Sequence, residues 1–291
     1  MEQFLKRGLL EKNITFLLND DLASNNTCPL TKAEGVLYKG ANKASIKEAI
    51  TDWAKNKMND SPANLYLVFV DHGSTDSFVL DTDIDNNLKA SDLALWIEIL
   101  ETSLSPQASQ MEIITLLGFC HSGSFIDNLS RKDKKRIIIT SAAANEESFK
   151  GPKDIIRDGS FFMSSFFKWV GDGESIKKSF EKAVQQTEIY TSSDFISYTS
   201  NYPFFDNALQ HPFLDDNGDG IGSNDLSVIG SDGDLSEKVF IGVNASMNHT
   251  DISIIETTKT LFLNPDTNTA QELYAIIENF SNIIQIFREE D

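Results

Sequence analysis

Two residues that could carry out covalent chemistry follow apolar segments of the same kind. Cys120 comes shortly after Ile113–Leu117, and His72 comes shortly after Leu65–Val70. Short, partly β-branched apolar runs that end in small and polar residues predict buried strands followed by loops. A cysteine and a histidine are the residue types of a thiol nucleophile and of the base that takes its proton. The sequence therefore predicts nucleophilic catalysis at the carboxyl edge of a sheet, where open α/β sheets bind ligands.

The alternative for each residue alone is that it is simply packed. A lone cysteine beside apolar residues is usually a small core hydrophobe, and most histidines do no chemistry. The pair is more informative, because Gly73 follows the histidine and Ser122-Gly123 lie two residues after the cysteine. Glycine in such places lets a backbone approach a substrate closely. The spacing of about 50 residues from histidine to cysteine is also one that occurs in enzymes with a cysteine nucleophile and a histidine base.

The segments around the two residues resemble the catalytic motifs of the caspase-like (clan CD) cysteine peptidases. These segments are Val70-Asp71-His72-Gly73 and Phe119-Cys120-His121-Ser122-Gly123-Ser124-Phe125. The legumain-like peptidases, in their bacterial and archaeal branch, are the most similar group. Downstream, residues 139–148 resemble the strand and loop that line the first substrate pocket of legumains. The similarity runs from about Lys6 to about Ser223.

The resemblance implies a cysteine endopeptidase that cleaves peptide bonds through a Cys-His dyad and a thioester acyl-enzyme. In that role Cys120 attacks and His72 moves the proton. The backbone amides of Gly73 and Cys120 are implied to hold the oxyanion, and Ser141 and Ala142 to line the first pocket. No residue preference is carried over. Metacaspases have an acidic residue two positions before the cysteine and legumains have a glutamate directly after it, whereas this chain has glycine and histidine there.

Composition narrows the class of protein and its partners. The chain of 291 residues has a net charge of −19, which disfavours nucleic acid and anionic membranes because their phosphates would be repelled. No apolar stretch approaches the roughly 20 residues needed to span a bilayer, and no signal peptide is visible at the N-terminus. Cys28 and Cys120 are the two cysteines, so there is no disulfide framework. We expect a protein or peptide substrate and favour an extracellular or cell-surface setting over the cytoplasm. The sequence does not indicate an oligomeric state.

The alternation of apolar strands with helices predicts a parallel sheet covered on both faces. Together with the resemblance, it predicts a caspase-like three-layer α/β sandwich over residues 1–226, with a mostly parallel central sheet flanked by helices. Caspase-like folds begin with a strand, and this chain opens on a predicted helix. Residues 227–291 predict a small β-rich C-terminal extension or the start of a truncated β-sandwich, with strands at Val239–Val243 and Thr260–Leu263. Residues 20–42 are predicted to be a surface loop, and Ser45 is predicted to cap the helix after it.

One acidic loop could bind calcium, although the implied chemistry requires no cofactor. Asp215, Asn217 and Asp219 place oxygens at positions 1, 3 and 5 of an EF-like loop, with Gly220 at position 6. The twelfth position is Leu226 rather than the glutamate that binds calcium through both oxygens. The sequence therefore predicts a partial calcium site.

Two other functions compete with the peptidase. The first is an α/β-hydrolase with Cys120 as nucleophile and His211 or His249 as base. Its Gly-x-Cys-x-Gly nucleophile motif would start at Gly118, but the second glycine, Gly123, comes one residue late. The second is a catalytically degenerate, calcium-binding surface or adhesion module. The intact pair of His72 and Cys120 favours the peptidase over both.

Overall fold

The chain forms two compact units, Met1–Ser246 and Met247–Asp291. The computed structural model describes residues 2–18, 37–149, 161–192, 208–228 and 230–242, and the backbone of strands at 254–257, 273–277 and 284–286. The division falls at Ser246 and not at residue 226. The reason is that Leu226, Val239 and Ile241 are buried in the core of the first unit.

Helices and strands alternate along the first unit. The helices are α1 (Glu2–Lys6), α2 (Lys43–Glu48, continuing through π-helical Ala49–Ala54 into Lys55–Asp60), α3 (Ala90–Thr102), α4 (Ile126–Leu129), α5 (Phe161–Gly171) and α6 (Ile176–Thr191). The strands are β1 (Thr15–Leu18), β2 (Leu37–Gly40), β3 (Leu65–Val70), β4 (Gly73–Ser74), β5 (Ser77–Phe78), β6 (Leu88–Lys89), β7 (Ile113–Gly118), β8 (Arg136–Thr140) and β9 (Phe213–Asp215). In the second unit, β10 (Ile254–Thr257), β11 (Leu273–Ile277) and β12 (Ile284–Ile286) form an antiparallel sheet.

The central sheet has the strand order β3-β7-β8-β9. Strands β3, β7 and β8 are parallel, and β9 is antiparallel to β8. Every residue of β7 and β8 is buried. Continuous burial of this kind belongs to parallel strands that helices cover on both faces.

Alternating residues of β7 face two separate apolar layers. Ile113 and Leu117 pack with residues of α2, α3 and α4, whereas Ile114 and Leu116 pack with residues of α5 and α6. Full burial of one such side chain stabilises the fold by about 1.5–3 kcal/mol. The predicted three-layer α/β sandwich with a mostly parallel sheet is confirmed.

Three local predictions differ from the structure. Asn42 and not Ser45 caps α2, because its side-chain oxygen accepts the Ser45 N–H at 2.9 Å. Residues 37–40, predicted to be loop, form β2 in parallel with β1. In the predicted strand at 239–243, the described residues form isolated bridges at Val239 and Phe240, the latter to Ser175, and no strand. The predicted strand at 260–263 lies outside the described residues.

Candidate active site

Strands β3 and β7 bring His72 and Cys120 to the same edge of the sheet. They pair in parallel from Leu65 with Ile113 to Val70 with Gly118. Each candidate residue is the second one beyond that last pair. His72 is exposed and Cys120 is half-buried. The edge that carries them is the carboxyl end of the parallel strands, as the sequence predicts.

Gly73 is needed for the close approach of the two loops. A Cβ atom at this position would overlap the ring of Phe119 and lie 2.8 Å from the carbonyl oxygen of Cys120. The φ angle of Gly73 is not positive, so glycine is required here because there is no space for a side chain, and not because the backbone is left-handed. The loop is tied down by the His72 carbonyl, which accepts the Val79 N–H at 2.9 Å. The backbone after the histidine therefore packs directly against the backbone of the nucleophile candidate.

The sulfur of Cys120 contacts the backbone of Ser148. The Ser148 N–H donates to Cys120 Sγ at 3.3 Å, and the Ser148 carbonyl oxygen lies 3.9 Å from the same sulfur. Ser148 belongs to residues 141–149, which follow β8 and are called the β8 loop below. Ser148 therefore presents both a backbone donor and a backbone acceptor to the sulfur.

His121 holds the nucleophile's own loop against the β8 loop. Its N–H donates to the Glu146 carbonyl at 2.7 Å, and its ring Nδ1 lies 3.0 Å from the Ala144 carbonyl. Since a carbonyl only accepts, Nδ1 carries the proton in this contact. The backbone of His121 is left-handed, with φ 61° and ψ 18°. This conformation is energetically unfavourable for a residue other than glycine, and such backbone strain is concentrated at functional sites.

Ser141 and Ala142 are completely buried. The Ser141 hydroxyl is 2.9 Å from the Ser148 hydroxyl, and the Ala142 carbonyl accepts the Gly123 N–H at 2.9 Å. Ala142 thus joins the β8 loop to the turn that follows Cys120, whereas the Ser141 hydroxyl bonds within the β8 loop. Their assignment to the first substrate pocket stays a prediction.

Gln210, which sequence reasoning missed, is fully buried beneath the β8 loop. Its Nε2 donates to the Ser141 carbonyl at 2.6 Å, and its Oε1 accepts the Phe149 N–H at 2.9 Å. No signal in the sequence marks this glutamine. It reaches the site because β9, which begins three residues later, pairs with β8 from Phe213 opposite Thr140.

His211, the neighbour of Gln210, is paired with Glu146 of the β8 loop. Its ring Nδ1 and its backbone N–H are each 2.6 Å from one oxygen of that carboxylate. Glu146 raises the pKa of His211, chiefly through the side-chain hydrogen bond. Burial works to raise the pKa of Glu146, but the hydrogen bonds from His211 outweigh it and the pKa is lowered. Burial raises the pKa of the neighbouring Glu188 to about 7, against the attraction of His211.

The predicted calcium loop satisfies its oxygens within the protein. The buried Asp215 carboxylate accepts the N–H groups of Gly218 and Gly220 and the hydroxyl of Ser130, at 2.8–3.0 Å. Asn217 accepts the Asp219 N–H at 2.8 Å. Among the described residues, no group of three or more His, Cys, Asp and Glu side chains is placed to hold a metal ion. Calcium binding stays a prediction.

Two residues named in the sequence analysis, Cys28 and His249, lie outside the described residues. Within the part of the chain that is described, Cys120 is a free cysteine. None of the described helices is both long and apolar enough to cross a membrane.

Comparison with protein-family models matches residues 1–202 to the peptidase C13 family, which is more than half of the chain. No curated protein matches the sequence significantly. Among solved structures, caspase-1 from Spodoptera frugiperda is similar at 12% sequence identity and a TM-score of 0.42, over 69% of this chain and 84% of that chain. At this score the structural likeness carries no argument, and the family assignment rests on the sequence match.

Proposed function

The chain belongs to the peptidase C13 family of legumain-like, caspase-like peptidases, and from that premise we propose that it is a cysteine endopeptidase whose nucleophile is Cys120 and whose general base is His72. The observation that carries the proposal is the register of β3 and β7. It places both residues two positions beyond Val70 and Gly118, at one sheet edge. If the two residues only filled space in the core, there would be no reason for both to lie at the same edge of the sheet.

The proposed reaction has two steps. Cys120 Sγ bonds to the carbonyl carbon of the peptide, and its proton passes through His72 to the leaving nitrogen as the C–N bond breaks. Water, deprotonated by His72, then attacks the thioester, which releases the acid and returns the proton to the thiol. A thiolate is the attacking form, so donors to the sulfur assist the first step.

The negative charge that forms on the carbonyl oxygen needs preorganised N–H donors. We assign these to the backbone amides of Gly73 and Cys120. The support for this assignment is the packing of Gly73 against the Cys120 carbonyl, which leaves no room for a side chain. The two amides therefore belong to backbone segments in direct contact.

The substrate is a protein or peptide, and its residue preference is left open. Ser141 and Ala142 are buried, so we propose that they shape the first pocket from behind through the β8 loop. The net charge of −19 supports attraction to basic substrate segments and disfavours nucleic acid. We keep the extracellular or cell-surface setting as part of the proposal.

Peptide-library cleavage by matched variants tests the proposal. Cys120→Ala is expected to abolish cleavage with an unchanged melting temperature, and His72→Ala to lower kcat/KM by about 100-fold or more. Cys28→Ser is the matched cysteine control and is expected to cleave like the parent. A thiol-alkylating probe should label Cys120 far faster than Cys28 at neutral pH.

Two results would overturn the proposal. If no peptide is cut and both cysteines react equally slowly, the fold is a catalytically degenerate one. If ester hydrolysis depends on His211 or His249 and is indifferent to His72, the protein is a hydrolase of another type.

A further inference from the structure

The Ser148 amide contacts the nucleophile from a loop, so the loop must be held accurately for the contact to persist. Its N–H is 3.3 Å from Cys120 Sγ, yet Ser148 lies in a loop, seven residues beyond the start of the β8 loop at Ser141. Hydrogen bonds weaken steeply with distance and angle, so this contact acts only if the loop is held in place. The described structure shows what holds it.

Gln210 joins both ends of the β8 loop through one side-chain amide. At the start of the loop it donates to the Ser141 carbonyl at 2.6 Å, and at the far end it accepts the Phe149 N–H at 2.9 Å. Its Nε2 also lies 3.4 Å from the Ser148 hydroxyl. The glutamine therefore fixes the residue next to the amide that contacts the sulfur.

The glutamine can hold the loop firmly because it is itself held. Its side chain is 0% exposed, and both ends of its amide have partners. A buried amide that lost these partners would be left unsatisfied, which is costly, so alternative placements of the loop are disfavoured. Its backbone leads directly into Phe213–Asp215, which is paired with the central sheet.

We propose that Gln210 is a positioning residue that holds the Ser148 amide against Cys120 Sγ, and that this amide stabilises the thiolate form of the nucleophile. The inference rests on the proposed function of Cys120. It assigns the Ser148 N–H to the ground-state thiolate, whereas the Gly73 and Cys120 amides act later on the oxyanion. His211 holds the loop independently, through Glu146, and is not part of this contact.

The test is the pH dependence of Cys120 alkylation in Gln210→Met. Methionine has nearly the same length but cannot hydrogen-bond to Ser141 or Phe149. The alkylation rate is expected to fall about tenfold below neutral pH, since a donor to a charged group is lost, and to match the parent above about pH 9.5, where the thiol is ionised in both. In peptide cleavage, kcat should fall more than KM rises.

Gln186→Met is the matched control. Gln186 is half-buried on α6 and accepts from the Ser165 hydroxyl on α5, so the same chemical change is made away from the β8 loop. It is expected to keep the alkylation profile of the parent.

The proposal is overturned if Gln210→Met shows the pH profile of the parent, or if its rate falls by the same factor at every pH, as simple loss of folded protein would cause. Should this variant not fold, Ser148→Pro provides the same test, because proline lacks the N–H. An unchanged profile in Ser148→Pro would overturn the proposal as well. Failure of the proposed function is a different result, since the parent's Cys120 would then react no faster than Cys28.

Discussion

Two polar regions of the first unit look alike in the sequence but are built differently. At the nucleophile, Cys120 is contacted by Ser148, and the loop that supplies this contact is held by Gln210 and His211 from far along the chain. In the acidic turn, defined here as residues 215–236, the carboxylates accept N–H groups of the same turn. Asp216, for example, accepts from the backbone of Gly233 and Ser236 at 2.8 and 2.7 Å.

The difference separates a site from a scaffold. In the acidic turn the carboxylates of Asp215, Asp216, Asp219, Asp225 and Asp232 accept backbone N–H groups of the turn itself, so few of their oxygens are left for a ligand. At the nucleophile, the Ser148 backbone that contacts the sulfur belongs to a loop that Gln210 and His211 hold from far along the chain. Local density of acidic residues is therefore a weaker sign of function than convergence from distant positions.

The largest effect that sharpens this comparison is expected from Gly73→Ala. The new methyl group would push against Phe119 and the Cys120 carbonyl, and so displace an amide assigned to the oxyanion. Removal of one such donor costs about 100-fold or more in kcat. The measurement is kcat/KM beside the melting temperature.

Gly222→Ala is its control in the acidic turn. A Cβ there would meet the tip of Ile126 at 2.7 Å and the Phe213 Cβ at 2.9 Å. We expect it to lower the melting temperature while kcat of the folded protein stays close to the parent. Equal losses of kcat in the two variants would contradict the distinction between site and scaffold.

The next effect is expected from Asp215→Ala, on stability. The substitution leaves the Gly218 and Gly220 N–H groups and the Ser130 hydroxyl without their buried acceptor. We expect the free energy of unfolding to fall by about 2 kcal/mol, as measured by urea denaturation, with kcat unchanged. Asp219→Ala, at an exposed position of the same turn, should cost less than about 0.5 kcal/mol. A catalytic defect in folded Asp215→Ala would show that the turn belongs to the site.

The two regions should also titrate at different pH. Burial raises the pKa of Glu188, beside His211, to about 7, and that of Asp232, in the acidic turn, to about 6. Both carboxyls bind their proton more tightly in the folded than in the unfolded chain. Folding stability should therefore rise as pH falls from about 8 to about 5. Below that, protonation of Glu146, whose pKa is lowered, should reverse the trend.

Glu188→Gln and Asp232→Asn assign the two parts of this curve. The first should flatten it near pH 7 and the second near pH 6, each raising stability at pH 8 by about 1–2 kcal/mol. Thermal unfolding of the Cys120→Ala protein measures this without self-cleavage. A curve that neither variant changes would show that other groups set the pH dependence.

The sequence was sufficient for the strands that carry the site and insufficient for what surrounds them. Strands β7 and β8 are predictable because burial on both faces leaves a continuous apolar run. Strand β3 is equally apolar in sequence, although Val68 and Val70 are exposed. His72 and Cys120 are predicted from the ends of β3 and β7. Gln210 is not predictable, because its role depends on the pairing of β9 with β8. The left-handed backbone of His121 is likewise set by contacts with the β8 loop, and not by its residue type.

The smallest expected effect concerns calcium, and it could break the comparison. Asp215, Asn217 and Asp219 supply three of the positions of an EF-like loop, without the glutamate that contributes two oxygens at position 12. Their oxygens also accept internal N–H groups, so any affinity should be as weak as that of extracellular modules, with Kd on the order of 1 mM. At about 5 mM calcium such binding stabilises the folded state by about 1 kcal/mol, or about 2–4 °C in melting temperature. Asp219→Ala should abolish the shift, and magnesium should not produce it. A parent protein that melts at the same temperature with and without calcium would remove the calcium prediction and leave the acidic turn as scaffold, whereas a shift well above this range would make it a second site.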